Sequence, residues 1–493
     1  MTQVSLKLYF LSLQLNFQSF PTNPKYLIPI ARWMISGKNA QSNPNYFQTV
    51  LSGTVTRGKM LSDSALWTKQ AQRGNDSVKP CPSCGAQIEA NEGYPFWCEH
   101  CDWNLTVPSK ERQGKAWERL ERKMRDTYGQ SLFKELQNRT ELVTKQGVSE
   151  RVASAYSLVI IGCSVTGFLF SLYGLFAWYR SPFIFISCLL ILLFAWLSRP
   201  RPHPFPKMAI LLNADEHPAT MKIFETVAQK MGVGKGIQFA LSPYYEAYTT
   251  EYGWRRGRVV VIGYPLLFAC TPGELTALLA HELAHCRNND IRRSALVSHA
   301  QRILLNWCDL LDPIQDEDDE YHFSFIATFS RGIMRLLFWI PYHLLAVLIH
   351  LYWNQSQRAE YEADRMAVQL AGSQHLISLL QIIHMNDVVE PLIARHSLQK
   401  QSMTLGQHLH ETFSKLPGKE KMRIVRILER SQQSMDTTHP ATHMRIAMLL
   451  HKDAPSAYQI SDWEYNQICQ EMTDHLQEKM EHRIIDNYRA KLA

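Results

Sequence analysis

The sequence has no strong charge of either sign, no dense cysteine framework and no export signal, and each absence removes a class of protein. Its 493 residues carry 52 Lys and Arg against 45 Asp and Glu, a formal excess of only +7. A chain that coats nucleic acid needs a larger and more concentrated basic surplus. Part of the excess sits between Lys110 and Arg151, directly ahead of an apolar segment, where an anionic membrane leaflet is the better partner. Ten cysteines are too few and too scattered for a disulfide scaffold in so long a chain. Six of them (Cys163, Cys188, Cys270, Cys286, Cys308 and Cys469) stand singly in apolar or helical surroundings, where a free thiol acts as a small hydrophobe. A reducing compartment is the simpler setting. At the N-terminus the run LYFLSLQLNF is broken by Gln14 and Asn16 and has Lys7 as its only early charge, so no secretory signal is read there. Residues 1–75, with Asn, Gln, Ser and Pro among aromatics, give no readable fold, and Met34 and Met60 are alternative starts.

What the sequence does have is apolar length. Hydrophobic residues make up 46% of a chain long enough for two or more domains. From Val152 to Tyr179 there are 28 residues without a charge, and from Ser181 to Ser198 another 18, with only Arg180 between them. Both approach or reach the length of a membrane span, and together they read as a helical hairpin with Trp178 and Trp196 as edge anchors. The basic flanks, Lys110–Arg151 before it and RPRPHPFPK after it, place both ends of the hairpin on the cytosolic side. A third apolar stretch, Leu336–Trp353, carries Pro341, His343 and His350 and reads as part of one long helix running on to Glu360. It is expected to lie outside the bilayer or partly embedded, as an amphipathic helix, in preference to a second hairpin. Short β patterns occur at Gln238–Ser242 and Arg258–Ile262, with YEAYTTEYGWRRG between them as a hairpin or its edge.

Thr271-Pro-Gly-Glu274 has the marks of a helix start: Thr as cap, Pro at the first helical position and Glu three residues on. The helix that follows, LTALLAHELAHC, sets His281 and His285 four residues apart on one face, with Glu282 beside them. Two neutral imidazole nitrogens at that spacing suit Zn²⁺, and a glutamate beside them suits proton transfer from water. The neighbours Leu275, Leu278, Leu279, Ala280, Leu283 and Ala284 are apolar, so the three polar side chains need partners. Downstream, RAEYEADRMA offers Glu360 and Asp364, again four apart: one carboxylate can bind metal while the other orients a histidine. A second metal site is written in Cys81-Pro-Ser-Cys84 and Cys98-Glu-His-Cys101, two knuckles with 13 residues between them. Four thiolates leave no open position, so that zinc is structural. Tyr94, Phe96, Trp97 and Trp103, with few bases among them, suit a protein partner better than nucleic acid.

HELAHCRNND, followed by RAEYEADRMA and then THPATHMRIAML, resembles the gluzincin family that includes the heat-shock protease HtpX and the CAAX prenyl proteases, over roughly residues 205–450. The resemblance implies Glu360 as third ligand, Asp364 behind it, and His439 with Arg445 at the active-site rim. There His439 would close the open metal position or donate to the oxyanion, and Arg445 would hold the carboxylates or stabilise negative charge. It also implies an edge strand that pairs with extended substrate, matched here by Glu246, Ala247 and Tyr248, with Glu246 where the family has Asn. Few spans favour the HtpX-like, quality-control side. The expected fold is mainly α with a small β-sheet: an α+β zincin-type peptidase domain at 205–450 and a C-terminal helical segment at 451–493. Ahead of these come a zinc ribbon at 76–108, a basic helical spacer at 109–151 and a transmembrane helical hairpin at 152–198. The expected activity is that of a zinc metalloendopeptidase in a bacterial inner membrane, holding one catalytic and one structural zinc. Ribbon and peptidase face the cytoplasm, where protein or peptide substrates, membrane lipid and a protein partner of the ribbon are met. Two rivals stay open, a catalytically silent adaptor built on the peptidase fold and a membrane-tethered ribbon that binds nucleic acid.

Overall fold

The computed structural model describes residues 78–89, 94–105, 129–137, 148–197, 199, 204–234, 236–253, 255–290, 295–311, 325–398, 403–431, 440–451 and 453–492. Segment 1–75, part of the spacer and His439 lie outside these residues. The described chain is mainly helical with two small sheets.

The ribbon holds the first sheet, β1 (Val78–Pro80) antiparallel to β2 (Gln87–Glu89). Its two knuckles are built alike. Gly85 and Asp102, each following a second cysteine, have φ of +74° and +55°, and their N–H groups donate to the carbonyls of Cys81 and Cys98 at 2.9 Å. The N–H of each first cysteine closes the loop on the carbonyl of Ala86 or Trp103, at 2.7 and 3.0 Å. Left-handed backbone at those two positions turns the sulfurs of each pair toward one point, which is why Gly and Asp stand there.

Four helices lie together: α1 (Val148–Ala177), α2 (Pro182–Leu197), and, further along, α6 (Ala295–Leu311) and α7 (Phe325–Ala371). Three of them, α1, α6 and α7, share an apolar core. Ala153 and Ile160 of α1 pack with Val297, Ile303 and Leu304 of α6 and with Phe338, Leu345 and Leu348 of α7. Helices α1 and α7 run antiparallel, because Ser149 donates to the Leu351 carbonyl at 3.4 Å and Tyr156 to that of Leu344 at 3.3 Å. By length and composition, 149–177 and 332–371 are long and apolar enough to cross a membrane, and α2 is a shorter apolar helix. The apolar half of α7 therefore stands beside α1 in the same bundle, with Ile333, Leu336, Leu337, Trp339, Ile340 and Val347 exposed. Its other face packs on α1 and α6.

The peptidase domain is built on a four-stranded sheet in the order β3-β4-β6-β5. Strands β3 (Ile210–Leu211), β4 (Ile237–Ser242) and β5 (Ala247–Tyr252) precede β6 (Gly257–Gly263) in the chain; β4 and β6 are parallel and β5 returns antiparallel to β6. The segment read as a hairpin or its edge is thus both. A side chain at Gly263 would meet the Tyr244 and Glu246 carbonyls, and this close approach lets the Gly263 N–H bond to the Glu246 carbonyl at 2.7 Å and fixes where β5 begins. Around the sheet lie α3 (Pro218–Lys230), α4 (Tyr264–Ala269), α5 (Pro272–Asn288), α8 (Ser373–Ile382), α9 (Asn386–Leu398), α10 (Leu405–Ser414), α11 (Gly418–Ser431), α12 (Thr442–His451) and α13 (Asp462–Leu492). Helix α5 begins as the sequence dictates, with a complete capping box between Thr271 and Glu274. Leu275, Leu279 and Leu283 repeat along one stripe at 0% exposure, so truncating any of them to Ala costs about 2–5 kcal/mol. The C-terminal helical segment packs on the peptidase domain. Ile460, Tyr465, Ile468, Met472, Met480 and Ile484 belong to the peptidase core, and Glu471 of α13 accepts the N–H groups of Ala219 and Thr220 at the start of α3. The last helix reads as polar in sequence because only one stripe of it is apolar, and that stripe is covered.

Candidate metal centre

Helix α5 and the C-terminal part of α7 lie against each other and bring the two motifs together. His281 Nε2 and His285 Nε2 are 3.3 Å apart, and Glu360 places Oε2 3.5 Å from the first and Oε1 3.6 Å from the second. Zinc holds nitrogen and oxygen ligands at about 2.0–2.2 Å, so neighbouring ligands of a tetrahedral ion stand about 3.3–3.6 Å apart. The histidine pair and the separation of each histidine from its nearer Glu360 oxygen fall in that range, and three ligand residues leave a fourth position open. In the ribbon, Cys81 Sγ lies 3.6 Å from Cys101 Sγ and Cys84 Sγ 3.6 Å from Cys98 Sγ. A disulfide needs about 2.05 Å, whereas two thiolates on one zinc stand about 3.8 Å apart, so the spacing suits the metal. Both sets could hold an ion: each donor set closes to within 4.8 Å.

Carboxylates stand behind both imidazoles. Asp364 Oδ1 is 3.1 Å from His281 Nδ1, and Asp290 Oδ2 is 3.0 Å from His285 Nδ1. Each holds its ring with Nε2 turned to the common centre. Asp290 was not singled out from sequence, yet a signal existed. Asn289 ends α5 in left-handed backbone, φ 55° and ψ 33°, and that turn sends the next side chain back toward the last histidine. Arg445, at 5% exposure, clasps Asp364 with Nε to Oδ2 at 2.7 Å and Nη2 to Oδ1 at 2.6 Å, while Nη1 lies 3.6 Å from Glu360. It therefore sits behind the ligands rather than at the rim: a fork that satisfies two buried carboxylates has to be buried with them. Burial alone would keep the His281 ring uncharged, but Asp364 and Glu360 outweigh it and raise its pKa to about 10. For His285 burial acts the same way and is overcome by the Asp290 hydrogen bond and the Glu360 charge, which raise its pKa. This donor set draws positive charge to its centre, whether proton or metal cation.

Glu282, at 7% exposure, projects beside the ligand pair. Thr249 Oγ1 lies 2.9 Å from its Oε2 and 3.0 Å from its backbone oxygen, so a hydroxyl from β5 holds it. Alternation along β5 turns Ala247, Thr249 and Glu251 away from the face where Tyr248 and Tyr252 pack with Phe205 and Ala209. Glu246 sits just ahead of the strand, within reach of the Ser242 hydroxyl at 3.3 Å. Among the described residues no strand pairs with the outer side of β5.

A helix bearing H-E-x-x-H, joined by a glutamate from a later helix, defines a zinc metallopeptidase of the gluzincin type. The model of peptidase family M48 matches residues 217–453. Protease HtpX of Stutzerimonas stutzeri (strain A1501) is 27% identical over 250 residues, covering 48% of this chain and 74% of that protein. Protease HtpX of Pseudomonas aeruginosa (strain LESB58) is 26% identical over the same length and the same shares. For Protease HtpX of Pseudomonas putida (strain GB-1) the match is 29% over 170 residues, 33% of this chain and 54% of that protein. Residues 217–453 thus match the peptidase family M48 model, and the chain is similar to HtpX proteases over 48% of its length. No solved structure matches it significantly.

Proposed function

We propose that the chain is a membrane-anchored zinc metalloendopeptidase that hydrolyses peptide bonds of proteins on the cytosolic side of a bacterial inner membrane. The observation that carries the reading is the convergence of His281, His285 and Glu360, each histidine Nε2 3.3–3.6 Å from the other and from one Glu360 oxygen, with Glu282 beside them. A zinc ion held there supplies a Lewis acid for the scissile carbonyl and makes a nearby water acidic enough to lose a proton near neutral pH. Glu282 accepts that proton and delivers it to the leaving amine. Arg445 and Asp364 keep His281 and Glu360 in register, and Asp290 does so for His285. His439 remains a candidate donor at the substrate carbonyl. The open side of β5, entered at Glu246, Ala247 and Tyr248, supports pairing with an extended substrate next to Glu282, main chain to main chain. Glu246 there favours a basic or polar residue over an acidic one.

The exposed apolar surfaces of α1, α2 and the first half of α7 support a membrane anchor, with basic flanks on the cytosolic side. Unfolded or damaged membrane proteins are the fitting substrates, a quality-control role, with one catalytic and one structural zinc. A silent adaptor is the competing reading. Purified Glu282→Gln separates the two: it should keep its zinc and lose cleavage of an unfolded labelled protein, and cleavage at the parental rate would refute the peptidase assignment.

A further inference from the structure

The ribbon is docked on the peptidase domain, and the contacts come from its metal-binding loops. Lys419 Nζ on α11 donates to the Glu89 carbonyl at 2.7 Å and lies 3.8 Å from Glu99, a residue inside the Cys98–Cys101 knuckle. Arg426, seven residues on and hence on the same helix face, places Nη1 3.1 and 3.4 Å from the two Asp102 carboxylate oxygens. The Asp102 side chain is 5% exposed, and its left-handed backbone is part of the turn that closes the knuckle on Cys98. Tyr94 adds an apolar contact with the peptidase core.

The other side of α11 meets the machinery. Lys421 stands 4.0 Å from Glu274, the residue that caps α5, the helix of the two histidines. Ile424 shares the core with Ile446 and Leu449 of α12, and α12 carries Arg445. One helix thus has the second knuckle on one face and, on the other, the start of the ligand helix and the helix that clasps Asp364.

We propose that the ribbon is an internal brace of the active site: with its four thiolates on a metal it fixes α11, and through α11 the position of α12 and Arg445. The partner of the ribbon is then its own peptidase domain. This inference rests on the peptidase reading for its effect on activity, and on the docking alone for its effect on structure. A single exposed ion pair would be too weak to brace anything. The coupling comes instead from the metal, because a four-thiolate ion supplies the folding energy of its knuckles, and Glu99 and Asp102 lose their places together when it leaves.

Two full-length variants test it in detergent, with zinc per chain, amide deuterium uptake and turnover of an unfolded labelled protein as readouts. Cys81→Ser removes a thiolate; Lys419→Glu with Arg426→Glu spares every cysteine and sets like charges against Glu99 and Asp102. Cys81→Ser should lose one zinc per chain and the double variant none. Both should exchange severalfold faster across 418–431 and 442–451, with turnover about five- to tenfold lower. Parental exchange at 442–451 in both variants would overturn the brace, and so would faster exchange with parental turnover. If the parent itself cleaves nothing, the peptidase reading fails instead, and the zinc and exchange data still decide whether the ribbon holds α11 and α12.

Discussion

Replacing Thr249 by Val removes one hydroxyl and almost nothing else. The two side chains have nearly the same shape, Val suits a strand at least as well as Thr, and the position is not a metal ligand. What is lost is a single proton shared between the Glu282 carboxylate at 2.9 Å and its backbone oxygen at 3.0 Å. A hydrogen bond to a charged group contributes about 1.5–3 kcal/mol, and if it serves to hold Glu282 in its working position the loss converts to about 10- to 150-fold in kcat. KM should move little, because the hydroxyl faces the helix and leaves the main-chain groups of β5 free for substrate. Steady-state cleavage of a quenched fluorescent peptide by Thr249→Val, Thr249→Ser and the parent separates the terms. Ser keeps the donor and should stay within about threefold of the parent. A Val variant within twofold in kcat, with parental zinc content, would refute the claim that Thr249 positions Glu282.

Arg445→Met leaves the buried Asp364 and Glu360 carboxylates without their shared cation. Breaking a buried pair costs about 3–5 kcal/mol, which for a domain of this size lowers the melting temperature by about 6–20 °C. A drop of under 2 °C in scanning fluorimetry would mean the fork is dispensable. Glu471 gives a pH dependence far from the metal. Burial would raise its pKa, but the hydroxyl and N–H of Thr220 and the N–H of Ala219 outweigh it and lower it. A depressed carboxylate contributes stability above its unfolded pKa of about 4.3, lost as pH falls through the folded value. Glu471→Gln should therefore cost about 1 kcal/mol at pH 7, as loss of a helix cap does, and less at pH 3, below the unfolded pKa. An equal loss at both pH values would contradict the capping role.

The site was legible in sequence to the extent that its geometry is local. His281 and His285 lie on one turn of one helix, and the capping box at Thr271 announced that helix, so spacing alone aimed both rings the same way. Glu360 and Asp364 were legible as a pair for the same reason. The burial of Arg445 was not, because it depends on how α12 meets α7, a tertiary contact that no period records. Asp290 was missed although a single αL residue, Asn289, directs it. The docked ribbon was out of reach as well: Lys419 and Arg426 share a helix face, but nothing in the chain says that Glu99 and Asp102, more than 300 residues away, are opposite them.

The shared donor set constrains how the chain between α5 and the end of α7 can run. His281 and His285 stand on α5, whose chain leads into α6, while Glu360 lies near the end of α7. Any membrane crossing between them must be undone before Glu360 is reached, or the three donors could not stand within 4.8 Å of one another. Helix α7 runs antiparallel to α1 along its apolar half, and α6 packs against both. At 47 residues it is about 70 Å long, with one half beside α1 and the other in the site. Glu360 is delivered by a helix whose middle turns, from Phe338 to Ile349, pack on α1 and α6. A shift of α7 along its own axis would move the third ligand relative to the two histidines, whose helix also packs on α8, α3 and β5.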